Sequence, residues 1–110
     1  MASERTTLGA IGAEMNARSK GQRNELKAQR LLEKWGYTVF RLYQPMMAPQ
    51  GPIDLIAVGM GRVRFVQVRS GQWGDLRALK ALEVPEQLTA TKEVWRFDDR
   101  VAEPKQRVLE

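Results

Sequence analysis

The chain of 110 residues contains neither cysteine nor histidine. Without Cys there is no disulfide framework, no zinc–thiolate site and no thiol nucleophile. Without His there is no Ser–His catalysis, no imidazole base and no His-ligated metal. No apolar run approaches the roughly 18 residues that a membrane span needs, and the first residues lack the apolar core of a secretory signal. The expectation is a cytoplasmic protein with no membrane partner. Any chemistry must come from carboxylates, amides, Lys, Arg, Tyr or hydroxyl groups.

What the chain has in excess is positive charge. There are 18 Lys and Arg against 13 Asp and Glu, a net charge of +5. Residues 1–80 hold thirteen basic and six acidic side chains, and residues 81–110 hold five and seven. A basic body with an acidic C-terminal segment points to one cationic face and a polyanionic partner. The alternative is scatter over a solvated surface. The length suits one domain with one core. Residues 1–18 read as a flexible N-terminal arm, and 19–110 as a single domain.

Residues 20–35 read as a helix. Ser19 is its candidate cap, Ala28, Leu31, Leu32 and Trp35 form an apolar stripe, and Gly36 suits the C′ position. Tyr37 to Tyr43 reads as a strand, and Gln44 to Pro52 as a loop. Ile53 to Val58 and Val63 to Arg69 read as an antiparallel hairpin turned at Gly59–Arg62. Asp75 to Leu82 reads as a short helix with Asp75 as its N-cap, and Thr91 to Phe97 as a further strand. Arg107 to Leu109 is a candidate edge strand. The order αβββαβ predicts a mixed α/β domain: a central mixed sheet flanked by helices.

Asp54 interrupts an apolar strand, where an unpaired carboxylate is costly. Pairing Val58 with Val63 puts Ile56 opposite Phe65 and Asp54 opposite Gln67. Alternation then places Asp54, Gln67 and Arg69 on one face. Glu25 lies on the helix's apolar stripe and so points toward the same end of the sheet. Two carboxylates and an amide oxygen suit a hard cation, Mg²⁺ or Mn²⁺. Arg69 beside it suits a phosphate. The plain alternative is an Asp54–Arg69 ion pair with Glu25 in solvent.

A helical Glu, then Gly-Pro-x-Asp on a strand, then a strand with Glu/Gln-x-Lys, resembles the PD-(D/E)xK nuclease superfamily. Within it the chain is most similar to archaeal-type Holliday-junction resolvases and their phage relatives. The matching residues are Gly21 and Glu25, then Gly51-Pro52-Ile53-Asp54, then Gln67-Val68-Arg69-Ser70. Glu25, Asp54 and Gln67 are separated by 28 and 12 residues. The resemblance implies a restriction-endonuclease-like core and a metal-dependent endonuclease that resolves four-way DNA junctions as a homodimer. It implies Mg²⁺ (or Mn²⁺) on Asp54 and Gln67, with Glu25 direct or through water. It puts Arg69 where the family has a Lys, and Ser70 either in support of the site or on a DNA phosphate. Gln67 and Arg69 depart from the usual Glu and Lys. The alternatives are therefore a weakened junction-binding module or a duplex-cutting restriction-type enzyme.

Lys20, Arg23, Lys27, Arg30, Arg62, Arg64 and Arg77 form a candidate phosphate path. Trp73 has two readings, a platform for an unpaired base or a packing residue. Trp35 and Trp95 are assigned to packing.

Overall fold

The computed structural model describes residues 9–42 and 51–109, with side chains from residue 20 onward. Seven elements follow one another: helix α1 (Gly9–Lys34), strands β1 (Thr38–Arg41), β2 (Leu55–Gly59) and β3 (Arg62–Ser70), helix α2 (Arg77–Ala81), and strands β4 (Ala90–Phe97) and β5 (Lys105–Leu109). The strands form one sheet in the order β1-β2-β3-β4-β5. Only β3 and β4 run parallel; the other neighbours are antiparallel. The mixed α+β sheet expected from the element order is present, with β5 added at its edge.

Helix α1 starts at Gly9, not near residue 20. Ser19 therefore lies inside the helix, away from its start, and residues 9–18 of the expected arm are helical. Residues 1–8 lie outside the described residues. The C-terminus behaves as expected. Gly36 N donates to Glu33 O at 3.0 Å and Tyr37 N to Leu32 O at 3.0 Å. These two bonds satisfy the last carbonyls in a Schellman closure.

One face of the sheet packs on α1. Ala28 and Leu32 meet Tyr37, Leu55, Ala57, Val66, Trp95 and Phe97, all buried. The side chains of Leu55, Ala57, Val66 and Trp95 are wholly enclosed. On the other face, among the described residues, Leu76 and Leu79 pack on Val94 and Leu109, toward β4 and β5. Lys92 fastens α2 to the sheet by donating to Lys80 O at 2.7 Å and Leu82 O at 3.1 Å. The N-cap position is Leu76, one residue later than expected, yet Asp75 Oδ1 still accepts from Arg77 N at 3.0 Å.

The β2–β3 hairpin has the expected register, with Val58 opposite Val63 and Ile56 opposite Phe65. It turns through Met60 and Gly61, whose φ angles are 53° and 75°. Two consecutive positive φ values match the right-handed twist of the flanking strands. Tyr43 and most of the Gln44–Pro52 loop lie outside the described residues.

Sequence pattern puts Arg64 on the phosphate path, and the structure corrects this. Arg64 is buried on the α1 face. Its Nε and Nη2 donate to Glu93 Oε2 at 2.9 Å and Oε1 at 2.7 Å. The rings of Trp35, Tyr37 and Trp95 lie within 5.7 Å of its guanidinium. Burial works to raise the Glu93 pKa, but hydrogen bonds from Arg64, Thr91 and Trp95 outweigh it and hold the carboxyl below its ordinary value. Arg64 is thus a core residue whose charge is spent inside the fold. Trp95 is buried and Trp35 leans on it, the ring centroids 5.7 Å apart.

Candidate active site

The site lies where β2 and β3 part. The last paired residues there are Leu55 and Val66. Asp54 then steps out of the ladder, its N–H still donating to Val66 O at 2.9 Å. Its side chain replaces the missing backbone acceptor, because Val68 N donates to Asp54 Oδ2 at 2.7 Å. The main chain is held from the other side by Leu42 N, which donates to Asp54 O at 2.9 Å. Asp54 is thus fixed from both neighbouring strands.

Burial lifts the Asp54 carboxyl from 3.8 to about 6. The Val68 N–H and the Arg69 charge oppose that rise, and the Glu25 charge adds to it. Asp54 thus lies in the field of one acidic and one basic neighbour, Glu25 on α1 and Arg69 on β3. Glu25 also has a partner that sequence reading missed: Arg41 Nη2 lies 3.5 Å from its Oε1. Arg41 pairs with Leu55 across β1 and β2, so the register brings it beside the residue that follows Asp54.

Gln67 and Arg69 sit on the β3 face turned away from α1, opposite the face of Val66 and Val68. Gln67 Oε1 is buried and has no hydrogen-bond partner among the described residues. An enclosed carbonyl oxygen without a donor is unusual and costly. Arg69 leans on the loop that follows β3. Its Nη2 donates to Asp75 O at 3.3 Å. Gly74, at φ 69°, leaves room for it: a Cβ there would lie 3.3 Å from the guanidinium carbon.

Helix and strand are pinned together beside these groups. Asn24, buried, donates to Ser70 Oγ at 2.6 Å. This bond joins the neighbour of Glu25 to the neighbour of Arg69. Ser70 is thereby tied to α1.

The expected phosphate path is only partly brought together. Arg23, Lys27 and Arg30 project from the exposed side of α1, with Lys27 5.8 Å from the Phe97 ring. Lys20 pairs with Asp99. Arg62 reaches Glu93 at 3.6 Å. Arg77 grips the Asp75 carboxylate through Nε and Nη2, and these bonds pull Asp75 down to about 2. Trp73 is engaged by two guanidinium groups, Arg96 at 4.9 Å and Arg107 at 5.2 Å from its centroid. It also packs on the cluster under α2.

Among the described residues, no three His, Cys, Asp or Glu side chains converge as a metal-binding group. The candidate donor set is two carboxylates and an amide. Its chemistry fits a hard cation on one direct observation, the orphaned Gln67 oxygen.

No family model matches the chain, and neither does any curated protein. Among solved structures, it is similar to Hjc of Archaeoglobus fulgidus, a Holliday junction resolvase from an archaeal hyperthermophile. The likeness has a TM-score of 0.57 at 18% identity and covers 81% of this chain and 75% of that one. At that identity it concerns the fold: the five-stranded mixed sheet and its helices are compatible with the restriction-endonuclease-like architecture of Hjc.

Proposed function

We propose that the protein is a structure-selective DNA endonuclease of the Holliday-junction-resolvase type, using Mg²⁺ or Mn²⁺ at Glu25, Asp54 and Gln67. The observation that carries this reading is the half-buried Asp54 carboxylate, held by Val68 N–H where β2 and β3 part and lying in the field of Glu25 and Arg69; the Gln67 oxygen, without a partner among the described residues, supports it. The fold shared with Hjc supports it, as does the basic body of the chain.

Asp54 and Gln67 would hold the cation, with Glu25 completing the set. Bound there, the cation supplies an acidified water and neutralises charge on a phosphate. Asp54 is held at the β2–β3 divergence by Val68 N–H, so its second oxygen is left for a ligand. Arg69 binds the scissile phosphate and stabilises the charge that builds on it. It stays protonated and takes no proton from water. Arg41 offsets the Glu25 charge until a cation competes for the carboxylate.

The partner is branched DNA, bound by a homodimer. The exposed apolar side chains on the β1–β3 half of the sheet, which no described element covers, support the dimer. Phe40, Ile56 and Phe65 form one cross-strand row, and Phe40 and Val58 are 54% and 42% exposed. One domain offers one cutting site, so paired cuts need two copies.

A weakened, binding-only module is the second reading. It is favoured by Arg69 resting on Asp75 O and Glu25 resting on Arg41. The test uses labelled four-way junction, fork and linear duplex with Mg²⁺, Mn²⁺ or chelator. Metal-dependent nicking of the junction supports the endonuclease. Junction binding without products at any ion supports the second reading, and Q67E/R69K then gains activity. Absence of both binding and nicking overturns both.

A further inference from the structure

The C-terminal strands carry a group of cations that the candidate site does not use. In the parallel β3–β4 register Arg69 lies beside Arg96, and in the antiparallel β4–β5 register Arg96 lies beside Lys105. One step along, Arg107 lies beside Val94. Arg96 and Arg107 both reach the ring of Trp73, which places them on the face where Arg69 meets the 71–76 loop. Like charges on neighbouring strands repel. Arg69 has the Asp54 and Asp75 charges near it, whereas among the described residues Arg96 and Lys105 both pair with Asp98. Asp98 lies 3.1 Å from Arg96 Nε and 3.5 Å from Lys105 Nζ. Arg96 Nη2 donates to Asp98 Oδ2 at 3.2 Å, while its buried Nε has no aligned hydrogen-bond partner among the described residues.

We propose that the row Arg69–Arg96–Lys105, with Arg107 beside it, binds the phosphodiester backbone of a DNA strand leaving the site, and that Asp98 is the counter-ion this strand displaces. The proposal rests on the endonuclease reading for its choice of DNA. Adjacent strands are about 4.8 Å apart, so the row spans about 10 Å. A nucleic-acid strand carries one phosphate per roughly 3.4 Å of axis, so about three phosphates face the row. Trp73 holds the Arg96 and Arg107 planes in place, which lowers the entropy lost when they bind. Lys105 is 64% exposed at its side chain and free to swing from Asp98 to a phosphate.

The test measures affinity for four-way junction, linear duplex and single-stranded DNA in chelator, from 50 to 200 mM salt. K105Q/R107Q is expected to lower the slope of log K against log salt on duplex by about 1.8, at 0.9 per lost phosphate contact. Over that range the parent then loses about 12-fold more affinity than the variant. R107K is expected to keep the slope, which separates charge from folding. D98N is expected to bind more tightly than the parent. The proposal stands only if both the slope loss and the D98N gain are seen, and any other result overturns it. Strand cleavage is read separately with Mn²⁺. Cleavage with an unchanged slope removes this surface and keeps the endonuclease. A lowered slope with a D98N gain, but no cleavage by the parent, does the reverse. A parent that binds none of the three DNAs overturns both.

Discussion

Replacing Asp54 with Asn is expected to stabilise the fold while disabling the site. Burial raises the Asp54 carboxyl from 3.8 to about 6, so the folded chain favours its neutral form. The stability this contributes is fully present below pH 3.8 and is lost as the pH rises through about 6. A rise of that size corresponds to roughly 3 kcal/mol between the neutral and ionised forms. Above pH 6 the parent therefore carries an ionised, partly enclosed carboxylate at a cost of about that size. Asn keeps an oxygen for the Val68 N–H and carries no charge. D54N should match the parent near pH 4 and exceed it at pH 8 by up to about 3 kcal/mol, a rise in Tm of roughly 10 °C or more. Urea unfolding at pH 4, 6 and 8 without divalent ions reads this directly. A stability difference that does not change with pH would refute the burial argument. Added Mg²⁺ at pH 8 should stabilise the parent and leave D54N unmoved, since only the ionised carboxylate holds the cation.

Arg64→Ala leaves Glu93 buried without its main partner and should cost about 3–5 kcal/mol in urea unfolding; the salt slope of DNA binding by the folded fraction should not change. Gly74→Ala puts a Cβ against the Arg69 guanidinium at φ 69°, and should cost about 1 kcal/mol while slowing nicking with junction binding retained. Met60→Asn at φ 53° relieves a left-handed residue in the hairpin turn and should add roughly 0.5–1 kcal/mol, read as a higher urea midpoint.

The hairpin register was legible because a slip of one residue would turn Ile56, Val58, Val63 and Phe65 to the wrong face. Gly36 was legible because few residues suit a left-handed helix end. The early start of α1 was not, since Gly9 and Gly12 are poor helix formers and the helical spacing of Leu8, Ile11 and Met15 is only a weak signal beside them. Arg64 looked like a surface cation because its partner, Glu93, is 29 residues away and arrives only through the parallel β3–β4 pairing. Arg41 was missed for the same reason: only the β1–β2 register brings it to the site end. Asp54 was found by its polarity in an apolar run. That Val68 N–H would hold one of its oxygens depended on where the ladder ends, and local pattern does not show this.

The most direct measurement is strand cleavage of a labelled four-way junction by the parent and by D54N, each with Mn²⁺ and with chelator, beside binding of the same junction. The account predicts nicks from the parent in Mn²⁺ alone, and none from D54N, which still binds. Equal cleavage by D54N, or cleavage that persists in chelator, would contradict it.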